Sequence, residues 1–205
     1  MEGRSGGLVA TLAVVLAGAS LADDAGFVDL FDGKSLDGWT PEHTDRFSVR
    51  EGVIFNDDGN GWLRSNKSFR DFEFQGEYRA MTRGADSGVL FRASAQSTPK
   101  APHWPIKGYQ LRVIDAENNL MILGHGGTPS KFDRDTDALK AAMKGPGAWQ
   151  AITLKVVGKH AEATLNGRRI TVSDTIHLPS GHLGLQGEHG QFEWRNLKIK
   201  ERPAP

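Results

Sequence analysis

Residues 71–81 read DFEFQGEYRAM, and the fold is decided there. Phe72, Phe74, Tyr78 and Ala80 alternate with Glu73, Gln75, Glu77 and Arg79. Successive side chains of a strand point to opposite faces, so this period of two predicts a strand with one buried and one strongly polar face. Working outward, further strands are expected over Ser87–Ala93, Gly108–Asp115, Gln150–Val157, His160–Leu165, Arg169–Val172, His182–Gln186 and Phe192–Lys200. Asn166-Gly167 lies between two of them and readily takes the positive φ angles of a type I′ turn, which predicts a tight hairpin. Helical spacing occurs only in Asp135–Lys144, where Ala138, Leu139, Ala142 and Met143 share one side and Gly145-Pro146 closes the segment. Eight or more short strands without βαβ alternation predict an all-β fold, an antiparallel β-sandwich or jelly roll with one short surface helix. Two long loops interrupt the pattern, Ala95–Lys107 and Ala116–Gly147, and connections of that length in a compact domain tend to carry function.

The N-terminus sets the compartment. Arg4 precedes a short apolar run, Leu8–Ala17, and Ser20-Leu21-Ala22 offers the small residues that a signal peptidase reads, so residues 1–22 are expected to be a signal peptide and the chain to be exported to the periplasm or beyond. Glu2 offsets Arg4 and leaves an uncleaved anchor as the alternative. The apolar run falls well short of the ~20 residues that a membrane span requires, and no later segment approaches that length. Residues 23–205 are of a normal size for a single domain that is stable on its own core. Cysteine is absent, which excludes disulfides, thiolate metal sites and a cysteine nucleophile. The 25 basic residues balance 25 acidic ones, so there is no basic field for nucleic acid and a neutral ligand is expected.

Five phrases then occur in a characteristic order: FVDLFDGKSLDGW over Phe27–Trp39, FSVREGVI over Phe47–Ile54, DFEFQGEYR over Asp71–Arg79, ADSGVLFR over Ala85–Arg92 and GLQGEHGQFEWRNLKI over Gly184–Ile199. Together they resemble the 3-keto-disaccharide hydrolase family, from about Phe27 to Lys200. The resemblance implies a concanavalin A-like lectin/glucanase jelly roll, an exported protein, and a small carbohydrate or glycoside whose sugar carries a ketone at C3. Such a ketone acidifies the hydrogen on C2, so one base can remove that proton, the C1 substituent can leave by elimination, and later addition of water completes a net hydrolysis. An ordinary glycosidase needs two carboxylates across the bond; here one base and donors for the enolate oxygen suffice. The family's Gly-Tyr-Glu-x-Gln strand reads Gly108-Tyr109-Gln110-Leu111-Arg112 in this chain, without the carboxylate, and its following Thr-Gly-Ala-x-Tyr-Gly phrase is replaced by Asn118–Gly127.

Alternation puts Glu77 and Arg79 on one polar face, to which Arg92, Gln110, Arg112 and Gln186 from other strands are expected to add, forming a concave substrate-binding site. The competing reading is an ordinary solvated sheet face with charges paired across strands. His189 is a candidate base because imidazole titrates near neutrality, and Glu77 is a second if its surroundings are dry. Asp115 ends the strand YQLRVID and is a third candidate, for a hydroxyl pair, a cation or a neighbouring arginine, or simply a turn former. His125, amid glycines, is placed to approach a ligand closely. Trp104 and Tyr109 flank the first long loop and are expected to stack on a sugar ring, whereas Trp39, Trp62, Trp149 and Trp194 read as core or edge packing. Asn56–Gly61 lacks the spaced oxygens and terminal Glu of a helical calcium loop and reads as a tight turn. A divalent cation such as Ca elsewhere in the jelly roll stays open, and no motif calls for another cofactor. No phosphate loop ends at Gly127, and Ser87 lacks the context of a nucleophile elbow. Two functions follow: an enzyme that cleaves 3-keto-glycosides, and a noncatalytic carbohydrate-binding module of the same fold.

Overall fold

The computed structural model describes residues 25–95, 97, 103–114 and 118–203. The expected signal segment, 1–22, and Asp115 lie outside the described residues. Among the described residues, fifteen strands and one helix follow in order: β1 (Val28–Asp29), β2 (Trp39–Glu42), β3 (Phe47–Arg50), β4 (Val53–Asp57), β5 (Gly61–Phe69), β6 (Phe72–Ala80), β7 (Asp86–Ala93), β8 (Gly108–Ile114), β9 (Ile122–His125), β10 (Asp133–Arg134), α1 (Thr136–Ala142), β11 (Gln150–Val157), β12 (His160–Leu165), β13 (Arg168–Ser173), β14 (Gly181–Gly187) and β15 (Gln191–Glu201). They form two antiparallel sheets. The nine-stranded sheet runs β10-β13-β12-β11-β6-β15-β4-β3, with β1 paired to the C-terminal part of β15, and the six-stranded sheet runs β2-β5-β14-β7-β8-β9. Successive strands β4, β5, β6 and β7 change sheet at every step, the winding of a jelly roll. Among the described residues, no helix is long and apolar enough to cross a membrane.

The alternation of β6 appears as expected. Phe72, Phe74 and Tyr78 are buried, while Glu73, Gln75 and Glu77 on the other face are partly exposed. Across from them Ile152, Leu154 and Val156 of β11 and Phe192 and Trp194 of β15 complete one wall of the core. Leu63, Val89, Phe91, Tyr109, Leu111, Val113, Leu183 and Leu185 of the six-stranded sheet complete the other. In β15 the inward positions are Phe192 and Trp194, then Leu197 and Ile199, so the period of two slips by one residue. A bulge between Arg195 and Lys198, with Asn196 at φ 52°, absorbs the extra residue and returns the apolar side chains to the core.

The hairpin is also found: Leu165 faces Arg168, and Asn166 and Gly167 take φ 48° and 81°. The helix is shorter than its expected span. Asp135 caps it by accepting from the Ala138 amide at 2.8 Å, and Leu139 and Ala142 are buried against the sandwich. The second long connection is less of a loop than its composition suggests, because β9, β10 and α1 lie within it.

A buried polar cluster links the sheets. Arg92, 2% exposed, donates to Asp71 Oδ1 at 2.9 Å and to the carbonyls of Arg70, Gly158 and Leu178 at 2.6–3.0 Å. Asp71 also accepts from the Gly158 amide at 2.8 Å. Arg92 holds this position at φ 46° in a bulge of β7, which advances three residues from Leu90 to Ala93 while β14 advances two from Gly184 to His182. Its expected place on a ligand-facing surface is corrected: the bulge turns the side chain between the sheets, and all its bonding goes to the protein itself.

Candidate functional site

Parity alone gives the face of a strand, not the sheet it belongs to, and this divides the expected site in two. Glu77 and Arg79 lie on the outer face of the nine-stranded sheet. There Glu77 accepts from Arg195 Nε at 2.6 Å, Arg79 pairs with Glu193, and both guanidinium groups cover the Trp149 ring at 4.0 and 4.8 Å. Gln110, Arg112 and Gln186 lie on the outer face of the six-stranded sheet, across the sandwich. The expected convergence of all these residues is therefore corrected to a smaller set on the six-stranded sheet. Tyr109 is corrected as well. Its parity is opposite to that of Gln110, so it enters the core, fully buried, stacked on Phe91 at 5.3 Å with its hydroxyl accepting from the His177 amide at 2.8 Å.

What the six-stranded face does bring together is a string of hydrogen bonds. His125 Nε2 lies 3.0 Å from Gln110 Oε1, Gln110 Nε2 donates to Gln186 Oε1, and Gln186 Nε2 donates to Glu188 Oε2 at 2.8 Å. Gln110 and Gln186 are 4% and 2% exposed, so these amides are fixed in place rather than solvated. A second element runs beside the string: Arg112 grips Asp86 bidentately, through Nε at 3.1 Å and through Nη2. The Asp86 backbone also makes a two-way bridge with His189, its amide donating to the His189 carbonyl at 2.8 Å and its carbonyl accepting at 3.2 Å. That bridge fixes the turn between β14 and β15, which carries both Glu188 and His189.

Glycines make room for this surface. A Cβ on Gly88 would stand 2.6 Å from Gln110 Nε2, and one on Gly184 would stand 2.2 Å from the Trp62 ring. Trp62 thus lies flat on the backbone of β14 and is buried, with Leu90 and Ala93, in a small cluster apart from the main core. Gly184→Ala forces that ring off its seat and is expected to cost about 1–3 kcal/mol, read as a lowered urea midpoint. The glycines around His125 serve the chain itself: a Cβ on Gly126 would meet the Ile106 carbonyl at 1.6 Å. His125 is half-buried, and its ring lies 6.2 Å from that of Trp104 at the end of the first long loop. Toward β2, Arg64 Nε donates to Glu42 at 2.7 Å.

The electrostatics single out Glu188. Burial raises its pKa above the ordinary carboxylate value, and the Asp86 charge adds to the rise; Arg112, the Gln186 hydrogen bond and His189 offset part of it. Arg112 is held protonated more firmly than a free guanidinium by its bond to Asp86. Burial lowers the His125 pKa and favours the neutral ring. Glu188 was missed in the sequence because it sits in a turn phrase, yet it follows Gln186 by two and so shares its face. Asp86 was missed although it precedes Gly88 and Leu90 on the same parity. His189 itself is exposed beside Glu188. Among the described residues, no group of three or more His, Asp or Glu is arranged to hold a metal ion.

A face with one buried-shifted carboxyl, a guanidinium, two fixed amides, a neutral imidazole and a nearby indole has the parts for proton abstraction and for holding a polyhydroxylated ligand. Residues 26–200 match the model of the 3-keto-alpha-glucoside-1,2-lyase-like domain. No curated protein matches the chain. Among solved structures, a protein of Parabacteroides distasonis provisionally described as a glycosyl hydrolase superposes with a TM-score of 0.67 at 19% identity, over 87% of this chain and 94% of that one. The carbohydrate-binding module CBM66 of Bacillus subtilis gives 0.64 at 14% identity, over 80% and 96%. A β-glucanase of Bacillus licheniformis gives 0.53 at 9% identity, over 86% and 97%. At such identities these structures establish the fold, the concanavalin A-like jelly roll, which serves enzymes and binding modules alike.

Proposed function

The chain belongs to the 3-keto-alpha-glucoside-1,2-lyase-like family, and on that premise we propose that it cleaves the glycosidic bond of 3-keto-glycosides on the outer face of its six-stranded sheet. The observation that carries this reading is the convergence on Glu188 of the His125–Gln110–Gln186 string and the Asp86–Arg112 pair. Glu188, as carboxylate, takes the proton from C2. The electrons of that C–H bond pass into an enolate on the C3 oxygen, which accepts a hydrogen bond from Arg112 Nη1, the nitrogen that Asp86 leaves unused; paired with Asp86, Arg112 serves as a directed donor rather than as a net charge. The enolate then re-forms the ketone as the C1–O bond breaks, leaving a C1–C2 double bond and an alkoxide that needs one proton. His189, exposed beside Glu188, is positioned to give that proton; in the hydration that follows, water adds its hydroxyl to C1 and returns its proton to His189, while the proton held by Glu188 goes back to C2 and restores both groups. Trp104 supplies an aromatic face for the sugar ring. Glu77, the alternative base, is tied to Arg195 on the other sheet and takes no part.

The likeness to CBM66 supports the second reading, a noncatalytic carbohydrate-binding module. Incubating the protein with a 3-keto-disaccharide and following the freed sugar separates the two. Release well above an inert jelly-roll control is expected; saturable binding without release would leave only the module. Export through residues 1–22 belongs to the same proposal, and a secreted chain whose N-terminus is Asp23 is the expected result of N-terminal sequencing.

A further inference from the structure

Both described arginines on the proposed site face, Arg64 and Arg112, are already matched by carboxylates, Glu42 and Asp86. The two pairs differ in what surrounds them. Arg64 and Glu42 join β5 to the edge strand β2, and Arg64 also donates to the Ser65 carbonyl at 3.2 Å, an arrangement internal to that edge. Asp86 and Arg112 join β7 to β8 beside the amide string, with side chains 18% and 24% exposed, so that the pair meets both the protein interior and an incoming ligand. Asp86 acts on two neighbours at once: it neutralises Arg112, and its charge acts on Glu188.

We infer that Asp86 is the specificity-determining residue of this face, cancelling the Arg112 charge so that uncharged sugars are accepted and sugars bearing a carboxylate are refused. This rests on the reading of the face as a carbohydrate site. A sugar acid set beside Arg112 would also stand beside Asp86, and two anions sharing one cation in a half-buried site repel. Without the Asp86 charge the same guanidinium becomes a free fork for a sugar carboxylate, the geometry in which arginine binds best. The Asp86 backbone bridge to His189 uses main-chain atoms only, so it survives replacement of the side chain.

Asp86→Asn tests this, because the amide keeps the shape and one acceptor for Arg112 while removing the charge and one of the two hydrogen bonds. The probes are a neutral disaccharide and the same disaccharide with a carboxylate at C6 of one ring, with binding measured by calorimetry. Wild-type protein is expected to prefer the neutral sugar by about tenfold or more, and Asp86→Asn to narrow or invert that preference by at least as much. Both effects should shrink in high salt. Arg112→Gln, which leaves Asp86 unpaired, is expected to sharpen the refusal of the acid. In turnover, the acid limb of the pH profile should move to lower pH in Asp86→Asn, since one charge that raises Glu188 is gone. A purely structural role for Asp86 would lower binding of both sugars equally and leave that limb in place. Equal wild-type binding of the two sugars, or an unchanged preference in a folded Asp86→Asn protein, overturns the inference while leaving the face a sugar site. Binding of neither sugar overturns both. Selective binding without cleavage of a 3-keto substrate removes the catalytic reading and leaves the selectivity standing.

Discussion

Replacing Glu188 by Gln is expected to lower turnover of a 3-keto-disaccharide by about 100-fold or more, with KM little changed. The substitution preserves shape and an acceptor for Gln186 Nε2, so it removes the base and little else. Because a base works in its deprotonated form, the wild-type rate should fall as pH drops through the Glu188 pKa. That pKa lies above the ordinary carboxylate value, owing to burial first and Asp86 second, so the acid limb of kcat/KM should sit higher than for a solvated glutamate. Glu77→Gln is the natural comparison. Its carboxylate pairs with Arg195 on the opposite sheet, and wild-type rates are expected there. Wild-type rates in Glu188→Gln would instead return the role of base to His189.

Arg92→Met is expected to be the most damaging single change to stability, at about 3–5 kcal/mol, since it strips the partner from a buried carboxylate. Asp71 is itself only 3% exposed, and three carbonyls lose their donor together with it. For a domain of this size that corresponds to a fall in Tm of roughly 10 °C or more. Calorimetry of the two proteins at one pH checks it, and a drop under about 2 °C would mean that water or a shifted backbone replaces the guanidinium. Combining Asp71→Asn with Arg92→Met should recover part of the loss, because the orphaned charge is then gone.

Much of the fold was legible because it depends on local rules. The period of two in DFEFQGEYR placed β6, and Asn166-Gly167 placed the β12–β13 hairpin, each from contiguous residues. The strand GWLRSNKSF of β5 was not legible: its middle is polar, and it exists because β2 and β14 pair on either side of it. The candidate site was half legible for a related reason. Alternation gave Gln110 and Arg112 one face, and did the same for Glu77 and Arg79, but which strand enters which sheet is a property of topology. β6 joins the nine-stranded sheet and β8 the six-stranded one, so the two acid–arginine sets look in opposite directions. Arg92 defeated the rule outright, since a positive φ at a bulge reverses the side to which a strand residue points.

The amide string has a sense of direction. Gln110 Nε2 is committed to Gln186 and to the Ser87 carbonyl, so its oxygen must receive a hydrogen, and the neutral His125 ring carries its proton on Nε2. Every N–H along the string then points toward Glu188 and ends on Oε2. On the proposed mechanism, the proton from C2 is therefore directed to Oε1, the oxygen that Gln186 leaves unengaged. The row of aligned dipoles makes the two oxygens of one carboxyl group unequal, and on that proposal the same oxygen, Oε1, is the one from which the proton would depart.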